Sequence, residues 1–142
     1  MSEHDYRHVT YDLTLNFGRT LARLNPGMTF CYVTGAGTDS TEHGQVMWAR
    51  VKGATENALL RLFPRAVMFR PAMMRATAGQ ANLKGWYKAL ALIYPIGRAL
   101  APSKFCTLRE LGRAMINAAT AGAPRHILEV RDIVELAAMR TG

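Results

Sequence analysis

Residues Met28 to Lys52 read MTFCYVTGAGTDSTEHGQVMWARVK, and the reading of this stretch decides the fold. Its opening run, Met28 to Thr34, is rich in β-branched and aromatic side chains and does not alternate between apolar and polar. Such a run, bounded by turn residues, fits a strand covered on both faces, as in a parallel sheet. Gly35-Ala36-Gly37 then allows a tight turn or a close approach of the backbone to a ligand. Thr38, Asp39, Ser40 and Thr41 offer capping oxygens, and Glu42 follows Asp39 at capping-box spacing. From Gln45 to Phe63 the pattern is helical, with Met47, Val51, Ala54, Ala58 and Leu62 on one stripe and Trp48, Lys52 and Leu59 beside it. Ligands of open α/β sheets bind beyond the carboxyl ends of the strands. Strand, loop, hydroxyls and a half-buried amine converge only here, so this stretch is the candidate site.

Upstream, Tyr6 to Leu24 predicts an amphipathic helix whose apolar stripe is Val9, Leu13, Phe17, Leu21 and Leu24. Asn25-Pro26-Gly27 stops it. Downstream, Ala66 to Phe69 is a second short apolar run closed by Arg70-Pro71. Helix, strand, helix, strand is the order of parallel α/β units. Pro71 to Gln80 reads as a loop able to cover a ligand, and Leu83 to Leu100 as a helix kinked or split at Pro95 and Gly97. Thr107 and Glu110 form a capping box for a helix to about Ala121, with Leu108, Leu111, Met115 and Ala119 inside. His126 to Val130 is a third strand and Ile133 to Met139 a terminal helix. The fold class expected is therefore α/β, a partial Rossmann-like doubly wound parallel sheet of about three strands with four to five helices, in one domain spanning residues 1–142. The first strand has no strand before it, so its open edge invites self-association.

The bulk numbers bound the function. Hydrophobic residues make up 49% of the 142 and charged residues 20%, which suits a globular chain rather than a disordered one. The net charge is +8, but the basic residues are scattered singly, so no nucleic-acid partner is expected. Cys31 and Cys106 stand far apart and in no CxxC pattern. That fits a reducing cytoplasmic setting and a Cys31 that acts as a small buried hydrophobe. The longest apolar run is far short of the roughly 20 residues an integral membrane span needs.

The residues resemble the later part of the short-chain dehydrogenase/reductase superfamily, in its atypical, NAD-dependent epimerase/dehydratase-like branch. Val9-Thr10 and Thr14 look like the family's central helix. Phe30 to Gly35 looks like the strand ending in its Ser/Thr-bearing loop, Lys52 like the lysine of its Tyr-x-x-x-Lys pair, and Phe69-Arg70-Pro71 like its Leu-Arg-Pro strand end. The resemblance implies an NAD(P)-binding oxidoreductase or epimerase acting on a small-molecule substrate. Lys52, Thr34, Thr38 and Ser40 would be its catalytic residues; Lys52, Trp48, Gly35, Arg70 and Pro71 would bind NAD or NADP. Two departures matter. Trp48 stands where the family's acid–base tyrosine should be, and an indole N–H only donates. The Gly-rich dinucleotide fingerprint that cradles the pyrophosphate is absent, which predicts a truncated product lacking the N-terminal dinucleotide-binding half. Dinucleotide binding by this chain alone is therefore expected to be weak or absent. The alternative is a non-catalytic binding or sensor protein on the same fold.

Two histidine readings complete the expectations. His43, in the loop, is a candidate substitute proton carrier. His4 and His8, one helical turn apart, could form a metal pair, but no third ligand stands in a suitable motif.

Overall fold

The computed structural model describes residues 1–75, 94–97 and 99–139. The chain opens with α1 (Glu3–Arg7), a wider π turn (His8–Asp12) and α2 (Leu13–Leu24), joined through continuous helical backbone. The helix starts before Tyr6 because the Ser2 hydroxyl accepts from the Asp5 N–H. It ends at Asn25, whose N–H bonds back to Leu21.

The buried face of this helix differs from the one its periodicity predicts. Leu15 and Gly18 face inward, with Tyr11, Leu21 and Ala22 packed beside them. Val9, Leu13, Phe17 and Leu24 lie 52%, 65%, 60% and 78% exposed. The inner face works through a close approach rather than bulk. A Cβ on Gly18 would stand 3.3 Å from Leu59 and Leu62, so the absence of a side chain lets α2 settle against the next helix.

β1 (Thr29–Val33), α3 (Met47–Leu62) and β2 (Arg65–Arg70) follow. β5 (Ile127–Glu129) completes a three-stranded parallel sheet in the order β1-β2-β5. The central strand is thus β2, buried from Ala66 to Arg70, and β1 lies at an edge. β1 is nevertheless covered on both faces, as its apolar run predicts. Phe30 and Tyr32 join the core under α2 and α3, while Cys31 and Val33 join the opposite one.

Three layers result. On one side Leu15, Phe30, Ala58, Leu59, Phe63 and Met68 pack together, with Phe30 and Phe63 stacked at 4.6 Å. On the other side Phe69, Leu111, Leu128, Ile133 and Leu136 pack between the sheet, α4 (Leu108–Ala121) and α5 (Val130–Ala138). Each large side chain buried this way contributes roughly 1.5–3 kcal/mol.

Thr107 and Glu110 cap α4 reciprocally, as their spacing predicts. Within α4 the buried residues are Leu111, Ala114, Asn117 and Ala118, while Leu108 and Ala119 point outward. Glu129 and Asp132 do the same capping for α5, which therefore starts at Val130 rather than Ile133.

Two three-residue strands, β3 (Met73–Arg75) and β4 (Phe105–Thr107), form a second parallel pair. β3 falls in what reads as loop. The rest of that loop, and residues 83–93 of the helix expected over Leu83 to Leu100, lie outside the described residues. Residues 94–97 are helical across Pro95. The Phe105 ring lies edge-on to Tyr94 and occupies the place a Cβ on Gly97 would need. No helix among the described residues is long and apolar enough to cross a membrane.

Candidate functional site at the carboxyl ends of the strands

Thr34 follows β1, Arg70 ends β2 and Glu129 ends β5, so all three stand at the same edge of the parallel sheet. One residue from the helix layer ties them together. Glu56 on α3 is fully buried and accepts the Thr34 hydroxyl at 2.5 Å. It also accepts the Arg70 Nε–H on both oxygens, at 3.1 and 3.2 Å, and a further bond from Arg70 Nη2. Arg70 extends the network, donating to the Ser40 hydroxyl at 2.6 Å and to Glu129 at 3.3 Å. Burial alone would pull the Arg70 guanidinium down. Its bonds to Glu56, and the charges of Glu56 and Glu129, outweigh that and hold it above its ordinary value.

Lys52 lies one turn before Glu56 on α3. Its Nζ donates to the Thr34 carbonyl at 3.0 Å. Burial lowers the amine's pKa from its ordinary value, against the opposing pull of the Glu56 charge. An ammonium has three donors, so two remain for a ligand.

The loop above is built from Asp39. Its carboxylate accepts from the Thr41 N–H and hydroxyl and from the Gly44 N–H, at 3.0, 2.6 and 2.6 Å. These bonds, the Thr41 hydroxyl first, hold its carboxyl below the usual range. Asp39 and Glu42 therefore organise the loop and do not cap α3, whose N-cap is Val46 without a side-chain bond. The physical reason is reach: the loop runs on to Val46, well past the capping-box window. Gly53 lets the loop lie directly on α3, since a Cβ there would meet the Asp39 carbonyl oxygen at 1.7 Å. Trp48 is 38% exposed and its ring edge lies beside Gly37, whose φ of 84° favours glycine.

The structure thus gathers Thr34, Ser40, Lys52 and Arg70 into one cluster. Gly35 and Pro71 meet at its edge, where the Ala36 N–H bonds to the Pro71 carbonyl at 2.9 Å. Thr38 turns inward, donating to the Gly35 carbonyl at 2.7 Å. The hydroxyls are therefore engaged: Thr34 donates to Glu56 and Thr38 to a carbonyl, while Ser40 accepts from Arg70 and keeps its own proton to give.

His43 is exposed on the loop. His4 and His8 lie near Asp5 and Asp12, at 3.6 and 3.5 Å, and among the described residues no three metal-ligating side chains come together.

Glu56 and Glu129 are not among the residues that the sequence motifs single out. A signal existed for Glu56: it is a lone acid among Val51, Ala54, Ala58 and Leu59, one turn after a lysine, while Arg70 is a lone base ending an apolar strand. Two lone opposite charges in apolar surroundings call for each other. Among the described residues, two open grooves lie away from this cluster. One of about 640 Å³ runs beside Asn16, Arg19, Thr20, Arg23 and Leu62, and one of about 290 Å³ lies at the strands' amino ends near Arg65 and His126. No protein-family model and no curated protein matches the chain.

Proposed function

We propose that the chain is an NAD(P)-binding protein of the atypical short-chain dehydrogenase type, epimerase- or oxidoreductase-like, built on a partial Rossmann-like sheet. The observation that carries this reading is the Lys52 amine, fixed on the Thr34 carbonyl at the carboxyl end of a parallel strand. Its two remaining donors suit the vicinal hydroxyls of a ribose. Trp48 beside the Gly37 turn offers an aromatic face, and the Ser40 hydroxyl can donate to a carbonyl or hydroxyl substrate.

The residues present fit the ribose end of a dinucleotide. They do not supply a phosphate cradle among the described residues, because α3 begins only after a long loop without a Gly-rich turn at its N-terminus. The bound cofactor would supply hydride chemistry. The reading also expects a small-molecule substrate and a further strand along the open edge of β1.

A second reading, a non-catalytic binding or sensor protein, is favoured by a specific observation. The Thr34 hydroxyl is pinned to Glu56, and by the resemblance Trp48 stands where the acid–base tyrosine would be. Titration of NAD(H) and NADP(H) to millimolar concentration, followed by amide chemical shifts, tests both readings. Shifts confined to Thr34–Lys52 and lost in Lys52→Met support the cofactor site. Turnover over carbonyl and sugar-nucleotide substrates then separates enzyme from sensor. Absence of Lys52-dependent shifts would overturn both.

A further inference from the structure

We propose that the groove at the amino ends of the strands binds a phosphate anion, free or as the monoester of a small metabolite. The proposal is independent of the cofactor reading, whose cluster lies at the opposite end of the same sheet.

The groove is built where two neighbouring strands begin. β2 and β5 are adjacent and parallel, about 4.8 Å apart at the usual spacing. Both are approached through the same pair of residues, Pro64-Arg65 and Pro124-Arg125. A proline fixes its own φ at about −65°, so less backbone freedom is lost when a ligand orders the arginine after it. Arg65 and Arg125 line one groove of about 290 Å³, together with His126. The His126 Nδ1 lies 2.8 Å from the Ala66 carbonyl oxygen. A carbonyl only accepts, so Nδ1 carries the proton and the ring is held with Nε2 left for a ligand.

This donor set chooses the ligand. Guanidinium forks match phosphate oxygens bidentately, and two of them with one imidazole nitrogen suit the three outer oxygens of a phosphate monoester. Nε2 donates when the ring is charged and accepts from a phosphate O–H when it is neutral. A planar carboxylate would be satisfied by a single fork. Among the described residues no carboxylate lines the groove and Arg65 meets none; Asp132, on α5, meets Arg125 at 3.4 Å and leaves its side chain 65% exposed. Pro64, Ala118, Ala123 and Pro124 give apolar walls for the body of an ester. The groove of about 640 Å³ fits less well, because Arg19 and Arg23 both come from one helix and no ring nitrogen joins them.

Amide chemical shifts of the full chain, followed at constant ionic strength with inorganic phosphate and with phenyl phosphate, test the proposal. Saturable shifts at Arg65 to Val67 and Ala123 to His126 are expected, with a dissociation constant of about 1 mM or below. Arg65→Gln/Arg125→Gln should weaken binding at least about tenfold. Arg19→Gln/Arg23→Gln removes the same charge from the other groove and should leave binding unchanged. All four arginines are exposed, so both variants should keep the wild-type far-ultraviolet circular dichroism. Tighter binding of phenyl phosphate assigns a monoester and equal or weaker binding assigns free phosphate; either supports the site. No saturation by on the order of 10 mM would overturn it. So would shifts spread over the whole surface, or an equal loss in both double variants, as diffuse attraction to a chain of net charge +8 or a nucleic-acid surface would give.

Discussion

Replacing Glu56 by Gln isolates what the buried network contributes. The change keeps shape and removes one charge from a site where Glu56 is fully buried and Arg70 is 8% exposed. The wild-type carboxylate has two oxygens and accepts from Thr34 and from two nitrogens of Arg70. The amide keeps a single oxygen and turns an NH₂ toward donors, so at least one of these partners loses its acceptor. Arg70 keeps its bond to the neutral Ser40 hydroxyl, but among the described residues the only carboxylate left beside it is half-exposed Glu129 at 3.3 Å. Removing one member of a buried pair typically costs 3–5 kcal/mol, most of it from the charge left behind. For a chain of this size that corresponds to a melting temperature lower by roughly 10–20 °C.

Urea denaturation gives the free energy directly, and Glu56→Leu/Arg70→Met closes the cycle. Replacing both partners by apolar groups removes the stranded charge. The double variant should therefore lose less than the sum of the two single losses, with a coupling above about 1 kcal/mol. Glu3→Gln is the control: Glu3 also pairs with an arginine, Arg50 at 2.7 Å, but is half exposed and should cost less than about 1 kcal/mol. A Glu56→Gln loss no larger than the Glu3→Gln loss would refute the reasoning. So would additive singles.

Three further outcomes follow from the same packing. Gly53→Ala places a methyl 1.7 Å from the Asp39 carbonyl oxygen, so the loop must lift off α3; a loss of roughly 2–3 kcal/mol in denaturation is expected, and a neutral substitution would show the contact is not held. Asn117→Ala removes the side-chain N–H donors that reach the Leu136 and Met139 carbonyls at 2.8 and 2.9 Å, leaving Leu136 only the Met139 N–H at 3.3 Å, which should cost about 1–3 kcal/mol and speed hydrogen exchange at the end of α5. Burial raises the Cys31 thiol above its ordinary 9.0, so between 9.0 and the folded value the folded chain holds a proton the unfolded chain has lost. Stability from this group is therefore present below pH 9 and declines above it. Cys31→Ala should flatten that decline, and alkylation of Cys31 at pH 8 as fast as free cysteine would contradict it.

Much of the layering was legible because it follows from patterns that few other structures satisfy. The unbroken run Met28 to Thr34, the Thr107–Glu110 capping box and the Pro64 stop between α3 and β2 each admit one local solution, and the fold contains them. The first helix turns all of its predicted stripe but Leu21 outward for a physical reason. Periodicity finds the stripe with the largest side chains, whereas the face laid on α3 is the one with Gly18, whose missing Cβ allows the closer approach. β3 and β4 are three residues long, too short for an alternation to emerge. The capping role assigned to Asp39 failed because its carboxylate found nearer donors at Thr41 and Gly44.

The candidate site was legible as a place and less so as a mechanism, and Glu56 explains the difference. Hydroxyls at the carboxyl ends of parallel strands suggest substrate contacts when read from sequence. Glu56 accepts the Thr34 hydroxyl's hydrogen bond and holds the arginine that in turn donates to Ser40. The network thereby fixes the relative positions of β1, β2 and the loop, and it leaves exposed to a ligand those groups that still have valence to spare. These are two Lys52 donors, the Ser40 proton and the Trp48 ring. Such a set can grip a polyhydroxyl ligand more readily than it can exchange a proton near neutral pH, because a serine hydroxyl and an indole do not titrate there. Burial lowers the Lys52 amine from its ordinary value, but the Glu56 charge one turn away opposes that and favours the ammonium, which donates rather than accepts.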